Sequence, residues 1–147
     1  MVNILHQVGV VASLADVHRA VATPEGVAGW WSVDTAGTSE VGGRLAVRFG
    51  DDGGFDLDIL ESDLAGRVRW RVTDGPAEWI GTQINWRLEQ RGRYTIVQFT
   101  HEGWREPTEL MHQCSTKWAT FLMSLKALVE TGRGRPAPDD VQISDGH

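Results

Sequence analysis

The stretch from Phe99 to Thr131, FTHEGWREPTELMHQCSTKWATFLMSLKALVET, restricts the possible folds more than any other part of the chain. Thr95, Val97, Phe99 and His101 alternate as a strand would, Gly103-Trp104 reads as a turn, and a long helix is expected from Glu106 to Thr131. Met111, Cys114, Trp118, Phe121, Leu122, Leu125, Leu128 and Val129 recur at three- and four-residue spacing, which makes one face of that helix apolar. Such a helix would be about 39 Å long at 1.5 Å per residue, enough to cross a whole sheet. One helix cannot bury its stripe alone, so it must lie on the strands that precede it.

Those strands are legible as period-two patterns. Ile4, His6, Val8, Val10 and Ala12 share one parity. Ser13 is an N-cap for a short helix with Val17, Ala20 and Val21 on its apolar side. Thr23-Pro24-Glu25 opens a second short helix with a capping residue, a first-turn proline and an acid; it ends near Trp30-Trp31. Leu45, Val47 and Phe49 form the next pattern, and Asp51-Asp52-Gly53-Gly54 a hairpin turn. Phe55, Leu57 and Ile59 follow, then Val68, Trp70 and Val72, so that Asp56 and Asp58 face arginines across a hairpin. Ile80, Thr82, Ile84, Trp86 and Leu88 make the next strand, and Thr95 to His101 the last. The links are short, which predicts an α+β fold: a curved antiparallel sheet of about seven strands wrapped around the C-terminal helix. Residues 1–132 are expected to form one domain, closed by a C-cap at Gly132. Residues 133–147, with Pro136, Pro138, Asp139, Asp140 and Asp145, are expected to be a polar, loosely docked or disordered tail.

Composition excludes several classes of function. The formal charge of -6 is wrong for a nucleic-acid binder, and Arg67, Arg69 and Arg71 alternate with Val68, Trp70 and Val72 as one solvated strand face. Cys114 is the single cysteine, so no intrachain disulfide can form. No stretch resembles a signal peptide or reaches the roughly 20 apolar residues of a membrane helix. A cytoplasmic protein without membrane insertion is expected. Metal is not expected: His112 and Cys114 are two apart on a helix and point differently. Gly53-Gly54 has no helix behind it and so makes no phosphate site; no cofactor is expected.

Three segments carry a family resemblance: TPEGVAGWW at Thr23–Trp31 after Ala12-Ser13, FTHEGW at Phe99–Trp104, and CSTKWATFLMSLKALVETGRGRPAP at Cys114–Pro138. With the order of elements, they resemble the helix-grip fold of the START/Bet-v-1-like (SRPBCC) superfamily, in the branch named after the activator of the heat-shock protein 90 ATPase, C-terminal domain. The resemblance runs from about Ile4 to Pro138. It implies a cavity between sheet and helix that holds hydrophobic ligands; related branches include polyketide cyclases, lipid carriers and hormone receptors. The eukaryotic activator has a further N-terminal domain, for which this chain is expected to have no room.

The seven tryptophans suit such a cavity, because aromatic side chains line rigid pockets with few rotatable bonds. Trp86, Phe99 and His101 from the sheet are expected to oppose Met111, Cys114 and Trp118 from the helix, with Trp30, Phe55 and Trp70 completing the ligand-binding set. His101 is expected inward near the mouth, as the main polar feature. Cys114 falls on the apolar stripe and reads as a packing residue, so no catalytic residue is assigned. The function expected is binding of a small hydrophobic or aromatic molecule. The alternatives are a cyclase- or hydrolase-like enzyme using His101, or a chaperone-regulating interaction protein. Open sheet edges make a homodimer a candidate assembly.

Overall fold

A computed structural model describes residues 1–144 of the chain. Its strands are β1 (Val2–Val11), β2 (Asp34–Gly37), β3 (Arg44–Arg48), β4 (Gly54–Asp63), β5 (Arg67–Asp74), β6 (Gln83–Arg91) and β7 (Tyr94–Trp104). Its helices are α1 (Leu14–Ala22), α2 (Pro24–Trp30) and α3 (Glu109–Thr131). All strands join one antiparallel sheet in the order β1-β7-β6-β5-β4-β3-β2, with the first and last strands of the sequence paired side by side. This is the helix-grip arrangement: the concave face buries Leu57, Trp70, Ile84, Trp86 and Phe99 against Trp118, Phe121, Leu122 and Leu125 of α3.

The helix ends follow local chemistry. Ser13 Oγ accepts from the Asp16 N–H, and Thr23 Oγ1 from the Gly26 N–H at 3.0 Å, as their positions before α1 and α2 suggest. Helix α3 begins three residues later than the periodicity predicts. The residue before Pro107 disfavours helix, and Thr108 caps instead by accepting from the Met111 N–H. Gly132 ends it at φ 85°, its N–H bonded to the Leu128 carbonyl. A side chain on Gly26 would meet the Ala20 backbone at 2.5 Å, so α1 and α2 pack this closely only around glycine.

Three strands depart from the expectation. Strand β2 has no alternation of its own and is held at the sheet edge by β3, Ala36 opposite Ala46. Strand β6 starts at Gln83 rather than Ile80; Ile80 is half exposed, in a loop tied by Trp79 N–H to the Pro76 carbonyl and Gly81 N–H to the Val72 carbonyl. Strand β7 continues through the expected turn, because Gly103 takes φ 92° and Val2 of β1 pairs with Trp104. Charge pairing also shifts. Asp58 stands opposite Arg71 of β5 as expected, but irregular register sets Asp56 against Asp74, and the ion pairs form with β3: Asp56 with Arg48 at 2.7 Å and Asp58 with Arg44 at 3.1 Å.

The tail is ordered against the domain as far as it is described. Arg135 N–H donates to Ser124 Oγ at 2.6 Å, Ala137 N–H to the Trp31 carbonyl, and Val33 N–H to the Ala137 carbonyl. A side chain on Gly134 would meet the Gly29 carbonyl oxygen at 2.3 Å, so glycine permits this docking. Residues 145–147, which include Asp145, lie outside the described residues.

Candidate functional site

Aromatic side chains from four elements and three loops meet under the N-terminal half of α3. Trp31, just after α2, is the hub: it stacks on Trp30, Trp70 and Phe55, and its ring centre lies 4.9 Å from that of Trp118. Trp79, from the loop before β6, stacks flat on Phe55 at 4.0 Å and more loosely on Trp118. Between these rings a cleft of about 270 Å³ opens to the surface, walled by Trp31, Phe49, Phe55, Trp79, Trp118 and Phe121. Asp52, Cys114, Lys117 and Asp140 stand at its polar margin. A wider, more polar groove of about 850 Å³ adjoins it along the C-terminal segment and shares Phe49, Asp52, Cys114, Lys117 and Asp140. The aromatic part is the better candidate site, since ligand pockets are mainly apolar with a few placed polar groups.

Of the residues expected from the sequence, Phe55, Cys114 and Trp118 meet in this cleft. Trp30, Trp70, Trp86, Phe99 and His101 do not line it; each is at most 1% exposed, packed into the interior. Met111 is half-buried against the core. The site is therefore displaced from the expected opposition of Trp86, Phe99 and His101 against α3, because the side chains there fill the space. Trp31, Phe49, Trp79, Phe121, Lys117 and Asp140 were not legible as site residues. For Trp79 a signal exists: a large aromatic inside a Gly- and Pro-bearing loop has a packing or binding reason to be there.

His101 lies neither at a mouth nor in a position to exchange protons. It sits between Ile4 of β1 and Ile84 of β6, under the edges of Trp79 and Trp104. Trp118 Nε1–H donates to its Nδ1 at 3.1 Å, and its Nε2 is 2.8 Å from Thr82 Oγ1. Burial lowers its pKa to about 3, so near neutral pH it is an uncharged structural group rather than an acid or base. Glu109 and His112 are both exposed on α3, and the His112 Nδ1 lies 2.7 Å from the Thr108 carbonyl oxygen.

Burial pushes the Cys114 thiol up to about 11, against a lowering influence from Trp79, which leaves it protonated and a poor nucleophile. The Trp79 N–H makes no hydrogen bond of ordinary geometry among the described residues. Among the described residues no cluster of ligating side chains could hold a metal, and no helix is long and apolar enough to cross a membrane.

Residues 11–130 match the family described as activator of Hsp90 ATPase homolog 1-like protein. Among curated proteins there is no significant match. Among solved structures, the chain is similar to the solution structure of the Aha1 dimer from Colwellia psychrerythraea, with 38% identity, a TM-score of 0.83, and coverage of 91% of this chain and 100% of that one. It is also similar to DynU16, a protein in the dynemicin biosynthetic locus, at 25% identity and TM-score 0.73, covering 90% of this chain and 48% of that one. A protein from Staphylococcus saprophyticus, at 19% identity and TM-score 0.76 over 92% of this chain and 98% of its own, shares the fold.

Proposed function

The chain belongs to the activator of Hsp90 ATPase homolog 1-like family, and from that premise we propose that it binds a small apolar or aromatic molecule, lipid-like ligands included, in the cleft beneath α3. The observation that carries this reading is the cleft itself: six aromatic side chains converge on open space rather than on one another alone. At about 270 Å³ it lies just below the roughly 300–1,000 Å³ usual for ligand sites, which suits a molecule of one or two rings. Phe55, Cys114 and Trp118 contact the ligand directly; Trp30, Trp70, Trp86, Phe99, His101 and Met111 support the walls from behind. Residues 1–132 form the binding domain and 133–147 its tail. The lone cysteine, half-buried and unpaired, suits a reducing compartment such as the cytoplasm.

The test is a thermal-shift and tryptophan-fluorescence screen with aromatic and lipid-like compounds. A true ligand raises the melting temperature by mass action, worth about 2.7 kcal/mol at a concentration 100 times its Kd, and quenches Trp31, Trp79 or Trp118. Phe55→Ala should weaken it, since Phe55 forms one wall and is only partly buried. If no compound shifts melting or fluorescence, the binding reading fails.

A second reading has its own support. The family's description and the dimeric neighbour favour a homodimer that regulates a chaperone ATPase. Sedimentation across a concentration range tests the dimer, and addition to a purified Hsp90-type ATPase tests the regulation; a monomer without effect on turnover removes this reading.

A further inference from the structure

We infer that the ligand of this cleft is an organic cation, an amine or quaternary ammonium carried on a flat apolar body. The inference rests on the binding reading above and concerns only the chemistry of the occupant. Six aromatic rings wall the cleft, and the negative quadrupole over a ring face attracts cations within about 6 Å of the centroid. The protein already uses one wall in this way: Lys117 Nζ lies 4.9 Å from the centre of the Phe121 ring.

The charges at the opening point the same way. Asp34, Asp51, Asp52 and Asp140 line the cleft and its adjoining groove, against Arg48 and Lys117. Both cations are committed, Lys117 to Asp140 and the Val141 carbonyl, Arg48 to Asp56 at 2.7 Å. The carboxylates of Asp34, Asp51 and Asp52 have no ion-pair partner among the described residues. An entering anion would therefore meet three uncommitted negative groups and no free positive one; an entering cation meets the reverse.

Three probes of one shape decide the matter: (4-methoxyphenethyl)trimethylammonium, 2-(4-methoxyphenyl)ethanol and 3-(4-methoxyphenyl)propanoate, each titrated by tryptophan fluorescence and calorimetry. The cation should bind roughly tenfold more tightly than the alcohol, and the carboxylate most weakly. Added salt should erode the cation's advantage, because the three carboxylates are exposed. The double variant Asp51→Asn, Asp52→Asn, on an exposed turn, should narrow the cation-to-alcohol ratio by about threefold. Equal binding of cation and alcohol, or strongest binding of the carboxylate, overturns the inference while leaving an apolar-ligand protein intact. Failure of all three to bind, while larger apolar compounds do, overturns it too. If nothing binds at all, the binding reading falls with it.

Discussion

At His101 a single ring organises two elements and a loop. Because Trp118 donates to Nδ1, the proton sits on Nε2 and is donated to Thr82 Oγ1, whose own hydrogen goes to the Trp79 carbonyl at 2.5 Å. The alternation around His101 correctly points it inward, but alternation says nothing of depth, and the ring is fully buried. Its folded pKa of about 3 lies below the roughly 6.5 of an unfolded histidine. The unfolded chain therefore takes up the proton first. Stability is complete above about pH 6.5 and is lost as pH falls toward 3, by up to about 1.4 kcal/mol per pH unit. His18, also lowered chiefly by burial, acts in the same sense. His101→Leu leaves the Trp118 N–H unpaired and should cost about 1–3 kcal/mol at pH 7. It should also flatten the loss between pH 6.5 and 5, as read from urea unfolding at both values. An unchanged pH slope would mean that His101 titrates freely in the folded protein.

At the scale of elements, the caps and stripes were readable because they are local chemistry. Ser13, Thr23 and Gly132 do at the helix ends what their side chains or backbone freedom allow in any chain. The length of β7 was not readable. Gly103 looks like a turn glycine, yet here its positive φ lets the strand continue to a pairing with Val2, about a hundred residues away in sequence. Trp104 is thereby carried from an expected turn into the core, against Trp79 and His101, and at 1% exposure is as deep as Trp118 at 2%. Trp104→Ala and Trp118→Ala should thus be comparable, each costing about 3–5 kcal/mol in urea unfolding. A small loss at Trp104 alone would put it back on the surface. Strand β2 marks the opposite limit: its four residues have no pattern, and its identity comes from β3 beside it.

For the whole molecule, the C-terminal segment ties helix, loop and cleft together. Ser124 Oγ donates to the Trp30 carbonyl at 2.9 Å and accepts from the Arg135 N–H, so one hydroxyl joins α3, the end of α2 and the tail. Further along, Asp140 and the Val141 carbonyl hold Lys117 at the cleft margin. Ser124→Ala should loosen this segment at a cost of about 1–2 kcal/mol. Trypsin should then cleave after Arg133 faster than in the parent protein, with residues up to Thr131 still folded. Equal cleavage rates would show that the remaining contacts hold the tail without Ser124.

Periodicity and capping determine, without any tertiary information, that this chain makes a strand-rich sheet and one long helix that must cover it. Both signals arise between residues a few positions apart, where the sequence is itself the geometry. They also place Phe55, Cys114 and Trp118 on faces that can meet. Which inward residues are packed solid and which border open space is decided by residues far apart in the chain. Phe99 closes on Trp86 and Trp118 at ring distances of 5.0 and 4.5 Å, filling the expected pocket. Trp31, Phe49, Phe55 and Trp79 arrive from separate segments and leave a gap beside α3. Close packing leaves space only where side chains from distant segments fail to fill it, and that difference exists only once the sheet has curved around the helix.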